Sequence, residues 1–285
     1  MQMNEEFFEA RDGVKIFTRA WLPQTSAAAA VVIVHGFKSH SGLYDWPARR
    51  LVERRIAVHA LDLRGHGKSD GERFYVQHFS DYVADVAQLV ARAQARHPGL
   101  PLFLLGHSAG GVVSCLYALE HQSELKGLVC ESFAHEVPAP ELALTLLKGL
   151  SRVAPHAHVL SLKDEDFSRD ADFVQRMKAD PLIVHTAGAS QTIAEMIRAD
   201  ERLRREFPRI TLPVLILHGT ADRATLPHGS QRFYDSAGSA DKTLKLYEGH
   251  YHDLLNDLDK ERVMADIIEW VTTHSILPQP HHLTN

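Results

Sequence analysis

Apolar and polar residues follow two different periods along the chain. Short continuous apolar runs, such as residues 31–34, 102–105 and 214–217, are typical of strands that are buried on both faces of a sheet. Residues 79–96 instead repeat apolar side chains at helical spacing, which predicts a helix with one face on the sheet. That face carries Tyr82, Val83, Val86, Leu89 and Val90. The alternation of such strands and helices indicates parallel crossover connections and therefore an α/β fold.

Local signals add a hairpin at the start of the chain and further helices behind it. Residues 5–10 and 15–21 have strand character and flank Asp12 and Gly13, a pair that favours a tight turn between antiparallel strands. Helices are predicted at residues 43–54, 79–96, 109–122, 229–236 and 260–274. The order of the elements predicts a mostly parallel, doubly wound sheet.

The alternation of strands and helices breaks at about residue 134 and resumes at about residue 207. A helical and irregular insertion after the strand that ends near Glu131 would lie over the C-terminal strand ends, where α/β proteins gather their site residues. We therefore predict a core of residues 1–133 and 207–275, a cap (lid) of residues 134–206, and a flexible polar tail of residues 276–285.

The predicted cap carries a broad apolar surface. Its members are Leu142, Leu144, Leu146, Leu147, Leu150 and Val153. The simplest expectation is that most of them pack the cap onto the core. Two alternatives stay open: part of this surface lines a pocket for an acyl chain, or part of it touches a membrane interface.

Composition narrows the class of protein. The chain has 285 residues, of which 45% are hydrophobic, so it can build a large core. A net charge of -5 provides no electrostatic surface for nucleic acid. Two cysteines make no disulfide framework, and we expect Cys115 and Cys130 to be buried thiols. No secretory signal or membrane-spanning segment is apparent, so the cytoplasm is the expected location, with a possible peripheral contact at a membrane.

The most informative segment is G-H-S-A-G at residues 106–110, which follows an apolar strand and precedes a helix-like run. Strand, G-x-S-x-G and helix together form a nucleophile elbow, in which small residues flank a serine whose hydroxyl is exposed above the sheet. Ser108 is therefore the candidate nucleophile. The oxyanion hole then requires the backbone N–H of Ala109 and a second N–H from an earlier loop, which H-G-F at residues 35–37 supplies through Phe37.

A serine nucleophile needs a histidine base and a carboxylate that orients it. After such an elbow the acid and the base follow in that order along the chain. Asp222 lies just past one buried strand, and both His250 and His252 lie just past the next. Glu131 also ends a strand and is a competing acid. The residues alone leave two acids and two bases open.

Further motifs accompany the elbow: H-G-F at residues 35–37, D-L-R-G-H-G-K-S-D-G at residues 62–71, and E-G-x-Y-H at residues 248–252. With G-H-S-A-G-G they resemble the monoacylglycerol lipase and lysophospholipase group of α/β-hydrolases, over roughly residues 10–272. The resemblance implies the α/β-hydrolase fold. It also implies His252 as the base, since the catalytic histidine follows a tyrosine there, and Asp222 as the acid, since G-T-A-D matches the family. His250 becomes a supporting or rim residue. Ala109 departs from the methionine usual in this family, which should change the pocket rather than the mechanism.

The predicted activity is that of a serine carboxylic-ester hydrolase with a Ser108–His252–Asp222 triad and an acyl-enzyme. The resemblance implies a lipid monoester as substrate, foremost a monoacylglycerol. The alternatives are a lysophospholipase, a short-chain or aromatic carboxylesterase, and an acyltransferase or cofactor-free peroxidase that uses the same triad. We expect no cofactor. We also expect no metal, because residues 250–253 lack further ligands at zinc-type spacing.

Overall fold

The computed structural model describes residues 1–135 and 141–276. Its strands are β1 (Gln2–Glu9), β2 (Lys15–Leu22), β3 (Ala29–Val34), β4 (Ile56–Leu61), β5 (Leu102–His107), β6 (Gly127–Glu131), β7 (His158–Leu160), β8 (Gly188–Ala189), β9 (Val214–Gly219) and β10 (Lys242–Tyr247). Its α-helices are α1 (Asp45–Val52), α2 (Phe79–Arg96), α3 (Ala109–His121), α4 (Glu141–Val153), α5 (Ala171–Ala179), α6 (Ser190–Glu206), α7 (Pro227–Ser236) and α8 (Lys260–Ile276).

The central sheet has the strand order β1-β2-β4-β3-β5-β6-β9-β10. All neighbours from β4 to β10 pair in parallel, whereas β1 and β2 form an antiparallel hairpin at one edge. The hairpin turns at Asp12 and Gly13, and Gly13 adopts φ +84°, a conformation that favours glycine. The predicted mostly parallel, doubly wound sheet is confirmed.

The chain changes winding direction between β3 and β5. From β3 it moves to β4 on one side, and it then returns to β5 on the other side of β3. The loops that leave β3 and β5 therefore diverge to opposite faces and open a crevice at the C-terminal strand ends. Phe37 and Ser108 belong to these two loops.

Helices cover both faces of the sheet. Every residue of β3 is buried, and alternate residues join two separate cores, because successive side chains in a strand point to opposite faces. Helices α2 and α3 pack on one face, and α1 and α8 pack on the other. Helix α2 has the predicted bounds and buries Tyr82, Val86 and Leu89 against the sheet. Two-sided burial explains why these strands are continuous apolar runs.

The predicted helix at residues 43–54 is shorter in the structure. The Gly42 N–H donates to the ring nitrogen Nδ1 of His40 over 3.1 Å, and a 3-10 turn spans Ser41–Tyr44 before α1 begins. At the other end, Arg55 adopts φ +61° and closes the turn that follows Val52. The difference therefore comes from local turns at both ends of the helix.

Cys115 and Cys130 are both buried free thiols, as predicted. Their sulfur atoms lie 3.6 Å apart between α3 and β6. Burial raises the pKa of the Cys115 thiol well above its usual range, which keeps it protonated and unreactive.

The cap follows β6, as predicted, and contains α4, α5 and α6 with the antiparallel pair β7 and β8. Helices α4 and α6 pack together. The sequence did not predict β7 and β8, which are too short to show a strand period. The boundaries at residues 133–134 and 206–207 stay a prediction. Residue 276 ends α8, and the rest of the predicted tail lies outside the described residues.

The apolar surface of the cap divides in two. Leu144 and Leu147 are partly buried and face the core. Leu142, Leu146, Leu150 and Val153 are exposed, with accessible fractions of 71%, 65%, 37% and 81%. The expectation that most of these side chains pack onto the core is therefore wrong. Separately, none of the helices in the described ranges is long and apolar enough to cross a bilayer.

Candidate active site

Ser108 lies in the sharp turn between β5 and α3. Its backbone has φ +54° and ψ -121°, a strained conformation for a non-glycine residue, and its N–H donates to the Glu131 carbonyl over 2.9 Å. Gly110 is required nearby, because a Cβ there would lie 2.1 Å from the Val34 carbonyl oxygen. A Cβ on Gly106 would lie 2.5 Å from the Gly110 carbonyl oxygen. The strand–turn–helix context predicted for Ser108 is present.

The loop after β3 passes directly beside Ser108. A Cβ on Gly36 would lie 2.7 Å from the Cβ of Ser108, so only glycine permits this approach. The next residue, Phe37, is buried, and its ring stacks on His66 with the centroids 5.9 Å apart. Ala109 is the first residue of α3, and an N–H at that position has no acceptor within its own helix. Phe37 and Ala109 thus flank Ser108, and their role as oxyanion donors stays a prediction.

The structure brings Asp222 and His252 together from the loops after β9 and β10. Nδ1 of His252 lies 2.8 Å from Oδ2 of Asp222. An ionised carboxylate only accepts hydrogen bonds, so Nδ1 carries the proton and Nε2 is left as an acceptor. The rings of His252 and His107 lie 4.9 Å apart, and His107 directly precedes Ser108. Ser108, Asp222 and His252 are each less than a tenth exposed.

Asp222 receives several other hydrogen bonds. Nε2 of His218 and the hydroxyl of Thr225 lie 3.0 and 2.9 Å from the oxygen that His252 contacts. The N–H groups of Ala224 and Thr225 donate to the other oxygen over 2.8 and 3.0 Å. Burial alone would raise the pKa of Asp222. The charge of His252 and the hydrogen bonds from His218 and His252 outweigh it, so the pKa of Asp222 lies far below its usual range.

Glu131 and His250, the alternative candidates for the acid and the base, have other contacts. Oε1 of Glu131 accepts the Leu255 N–H over 3.1 Å. Nδ1 of His250 contacts the Glu248 carbonyl oxygen over 3.2 Å, and the residue is only 4% exposed. His250 is therefore buried within the loop that carries His252 rather than at a rim. Glu131 lies in the core beneath Ser108.

Glu131 belongs to a buried cluster with Asp253 and His107, whose ligand atoms all lie within 4.8 Å of one another. Burial, and then the charge of Asp253, raises the pKa of Glu131 well above its usual range. Burial also raises the pKa of Asp253, to about 6, although the hydrogen bond from Asn256 opposes this effect. Glu131 thus keeps its proton near neutral pH.

A cavity of about 330 Å³ is lined by the cap and by the loop after β9. Its apolar lining includes Leu144, Leu147, Leu160, Leu162, Ile193 and Met196. Two further lining residues contact His252 and Asp222. The Phe167 ring meets the His252 ring edge-on with the centroids 5.1 Å apart, and Ala224 donates to Asp222. The cavity is therefore separated from His252 and Asp222 by one layer of side chains, and its lining residues do not include Ser108.

Sequence reasoning missed His218 and Thr225. His218 lies four residues before Asp222 in the same strand-to-loop segment, so its spacing was visible, but nothing in the sequence shows which way its ring points. The role of Thr225 was equally hidden, because its hydroxyl reaches Asp222 only through the turn that follows β9.

Comparisons with known proteins identify the family of this chain. Residues 25–259 match the family described as Hydrolase_4: Serine aminopeptidase, S33. The monoacylglycerol lipase of Mycolicibacterium smegmatis is 33% identical over 274 residues, which cover 95% of this chain and 98% of that protein. The monoglyceride lipase of Rattus norvegicus is 36% identical over 266 residues, which cover 92% of this chain and 88% of that protein.

Similarity extends to solved structures. The crystal structure of the Paleococcus ferrophilus monoacylglycerol lipase has a TM-score of 0.81 and 30% identity, and the match covers 96% of this chain and 100% of that one. The elbow, the sheet and the family match lead to the same assignment. The chain belongs to the serine aminopeptidase S33 family and is a serine hydrolase with the α/β-hydrolase fold.

Proposed function

We propose that this serine hydrolase cleaves lipid monoesters, foremost monoacylglycerols, with Ser108, His252 and Asp222 as its catalytic residues. The observation that carries the proposal is the apolar cavity whose lining residues Phe167 and Ala224 contact His252 and Asp222. The two relatives and the solved structure above, all named as monoacylglycerol or monoglyceride lipases, support the same substrate class.

The chemistry follows from the orientation of His252. Because Nδ1–H donates to Asp222, Nε2 is free to take the Ser108 proton as the hydroxyl attacks the ester carbonyl. His252 then gives this proton to the leaving alcohol, and a water molecule releases the acid from the acyl-enzyme by the reverse proton path. Asp222 stays ionised, holds the tautomer and stabilises the imidazolium.

The developing negative charge needs fixed donors. We assign them to the backbone N–H groups of Phe37 and Ala109, which approach Ser108 from the two diverging loops. A donor aimed at the oxyanion contributes about 10²–10³ in rate in comparable enzymes. This set of groups acts without a cofactor.

The cavity selects the acyl part of the substrate. Its volume of about 330 Å³ is at the small end of the range for ligand pockets, which suits one alkyl chain and therefore a monoester. Each methylene that enters the cavity contributes about 0.8 kcal/mol of binding. The catalytic groups do not distinguish esters from thioesters or amides, so the preference for esters rests on the relatives.

The exposed face of α4 extends the proposal to a lipid surface. Leu142, Leu146, Leu150 and Val153 share one side of this helix, whereas Leu144 and Leu147 line the cavity from its other side. We propose that the exposed side contacts the membrane or micelle that holds the substrate, so that the acyl chain has a short route to Ser108.

Substrate profiling tests the proposal. Hydrolysis of p-nitrophenyl esters from acetate to palmitate is measured beside 1-monoacylglycerol and lysophosphatidylcholine, with Ser108→Ala as the inactive control. We expect turnover of monoacylglycerol and a preference for medium or long chains. Activity confined to short or aromatic esters would retain the triad and refute the lipid substrate. Preference for lysophosphatidylcholine would identify a lysophospholipase, and products of alcoholysis or perhydrolysis would identify a transferase or a peroxidase.

A further inference from the structure

One segment of the cap, residues 162–169, contacts the core on two sides of the proposed triad. It lies between β7 and α5 and includes a 3-10 turn at Asp164–Asp166. We call it the bridging segment. Its polar contacts go to the loop after β3 and to the loop after β10, which carry Phe37 and His252 respectively.

Lys38 makes the contacts on the first side. It follows Phe37, and its ammonium donates to the Leu162 carbonyl over 2.9 Å and to Asp164 over 2.5 Å. The lysine is only 5% exposed and adopts φ +54°, a left-handed conformation that is disfavoured for a residue with a Cβ. A buried cation in a strained backbone persists only if its partners hold it. The bridging segment supplies both partners.

On the second side, the backbone N–H groups of the two residues that flank His252 donate hydrogen bonds. The Asp253 N–H donates to the Phe167 carbonyl over 2.8 Å. The Tyr251 N–H donates over 2.9 Å to Asp257, a carboxylate with a fully buried side chain. Arg169 of the bridging segment donates to the same Asp257 oxygen over 2.8 Å. The residues before and after His252 are thus both tied to the cap.

We propose that the bridging segment positions both halves of the catalytic machinery, with Lys38 and Asp257 as positioning residues. Through Lys38 it fixes the loop that presents the Phe37 N–H, and through Asp257 and Phe167 it fixes the loop that presents His252. This part of the cap is then a fixed part of the catalytic centre rather than a lid. The proposal rests on the catalytic assignments made above, but it does not depend on the lipid nature of the substrate.

The choice of substrate distinguishes this positioning role from a simpler one, in which the bridging segment only forms a wall of the acyl pocket. Acetate does not fill the cavity, so a wall defect would leave p-nitrophenyl acetate hydrolysis intact and would raise KM for long esters. A displaced oxyanion donor or base instead lowers kcat for every ester, because a shift of about 1 Å costs about 10²-fold.

The experiment compares Lys38→Met with Lys178→Met on p-nitrophenyl acetate and p-nitrophenyl decanoate. Lys178 pairs with Glu165 of the same segment but lies within the cap on α5, so it is the matched control for losing an ion pair. We expect Lys38→Met to lower kcat at least about tenfold for both esters with little change in the KM for acetate. Lys178→Met should stay within about twofold of the parent, since its ion pair is exposed.

Two further measurements keep the result interpretable. Lys38→Arg retains a cation that can reach both acceptors, so it should restore most of kcat. If Lys38→Met does not fold, Asp164→Asn takes its place and should show a milder loss of kcat. The rate at which a fluorophosphonate labels Ser108 should fall with kcat, because labelling needs the same base and oxyanion donors. An unchanged acetate kcat with a raised decanoate KM would overturn the positioning role. Failure of the parent protein to label at Ser108 would instead refute the proposed function.

Discussion

Nε2 of His218 lies 3.0 Å from Oδ2 of Asp222, on the same oxygen that His252 contacts. The Nδ1 atom of His218 lies 2.7 Å from the Ser230 hydroxyl, which can donate to it and so leave the proton on Nε2. His218 therefore donates to Asp222, and the carboxylate is held between two imidazoles. This second histidine fixes the position of the acid and helps to keep it ionised.

Replacement of His218 should weaken catalysis without abolishing it. We expect His218→Ala to lower kcat/KM by about tenfold, the equivalent of one hydrogen bond to a charged group. The pKa of Asp222 should also rise, because one of the donors that lower it is lost. His218→Gln, which retains an N–H donor, should lose less. Equal losses in both variants would show that the hydrogen bond does not matter.

The assignment of the base is tested by a matched pair of histidines in one loop. We expect His252→Ala to lower kcat by about 10⁴-fold or more, because Ser108 would lose its proposed general base. His250→Ala should retain activity within about fivefold, since its ring contacts the Glu248 carbonyl and not Asp222. The rate of p-nitrophenyl butyrate hydrolysis is measured for both variants. An inactive His250 variant beside an active His252 variant would reverse the assignment.

The parts of the site that the sequence predicted depend on local geometry. Ser108 is recognisable because the elbow places all its requirements within a few consecutive residues. Asp222 and His252 follow their strands within three and five residues, but only the family resemblance favoured them over Glu131 and His250. The pair of Lys38 and Asp164 spans 126 positions and joins a core loop to the cap. This ion pair forms only when the cap docks on the core, and no local sequence pattern indicates how the cap docks. The strands β7 and β8 were missed for a different reason, because they are too short to show the two-residue period of a strand.

The choice between two acids is tested by isosteric amides. Asp222→Asn should lower kcat/KM about 10⁴-fold, because the amide favours the wrong tautomer of His252. Glu131→Gln should stay within about threefold, because the raised pKa of Glu131 means that a neutral carboxyl group is replaced by a neutral amide of similar shape. The kcat/KM of both variants and of the parent is measured with p-nitrophenyl butyrate at one fixed pH. A severe loss in Glu131→Gln would make that residue a functional acid.

Asp253 gives a prediction about stability and pH. Its pKa is raised to about 6, chiefly by burial, against an ordinary value of 3.8, so the folded state holds this proton more tightly than the unfolded chain. The resulting stability is present below about pH 4 and is lost as the pH rises through 6. Asn cannot titrate. The free energy of unfolding of Asp253→Asn, relative to the parent, should therefore increase by up to about 3 kcal/mol between pH 4 and pH 7.5.

Urea unfolding at the two pH values measures this difference directly. Glu131 lies beside Asp253, so Glu131→Gln serves as a second variant in which the neighbouring carboxyl group can no longer titrate. A constant difference between Asp253→Asn and the parent across the pH range would mean that Asp253 titrates as an ordinary carboxyl group.

Gly36 provides the sharpest test of the oxyanion loop. Its added Cβ in Gly36→Ala would lie 2.7 Å from the Ser108 Cβ and 3.3 Å from its hydroxyl oxygen, so the loop must move away from the nucleophile. Because displacement of one oxyanion donor costs about 10²–10³-fold, kcat should fall by at least that factor. Gly149→Ala is the matched control: its Cβ meets no atom within 4 Å, and alanine should stabilise exposed helix α4 by roughly 0.5–1 kcal/mol without changing kcat. Activity and thermal unfolding of both variants separate a local displacement from a general loss of fold. Retention of full activity by Gly36→Ala would show that the loop tolerates the shift, and it would remove the Phe37 N–H from the proposed mechanism.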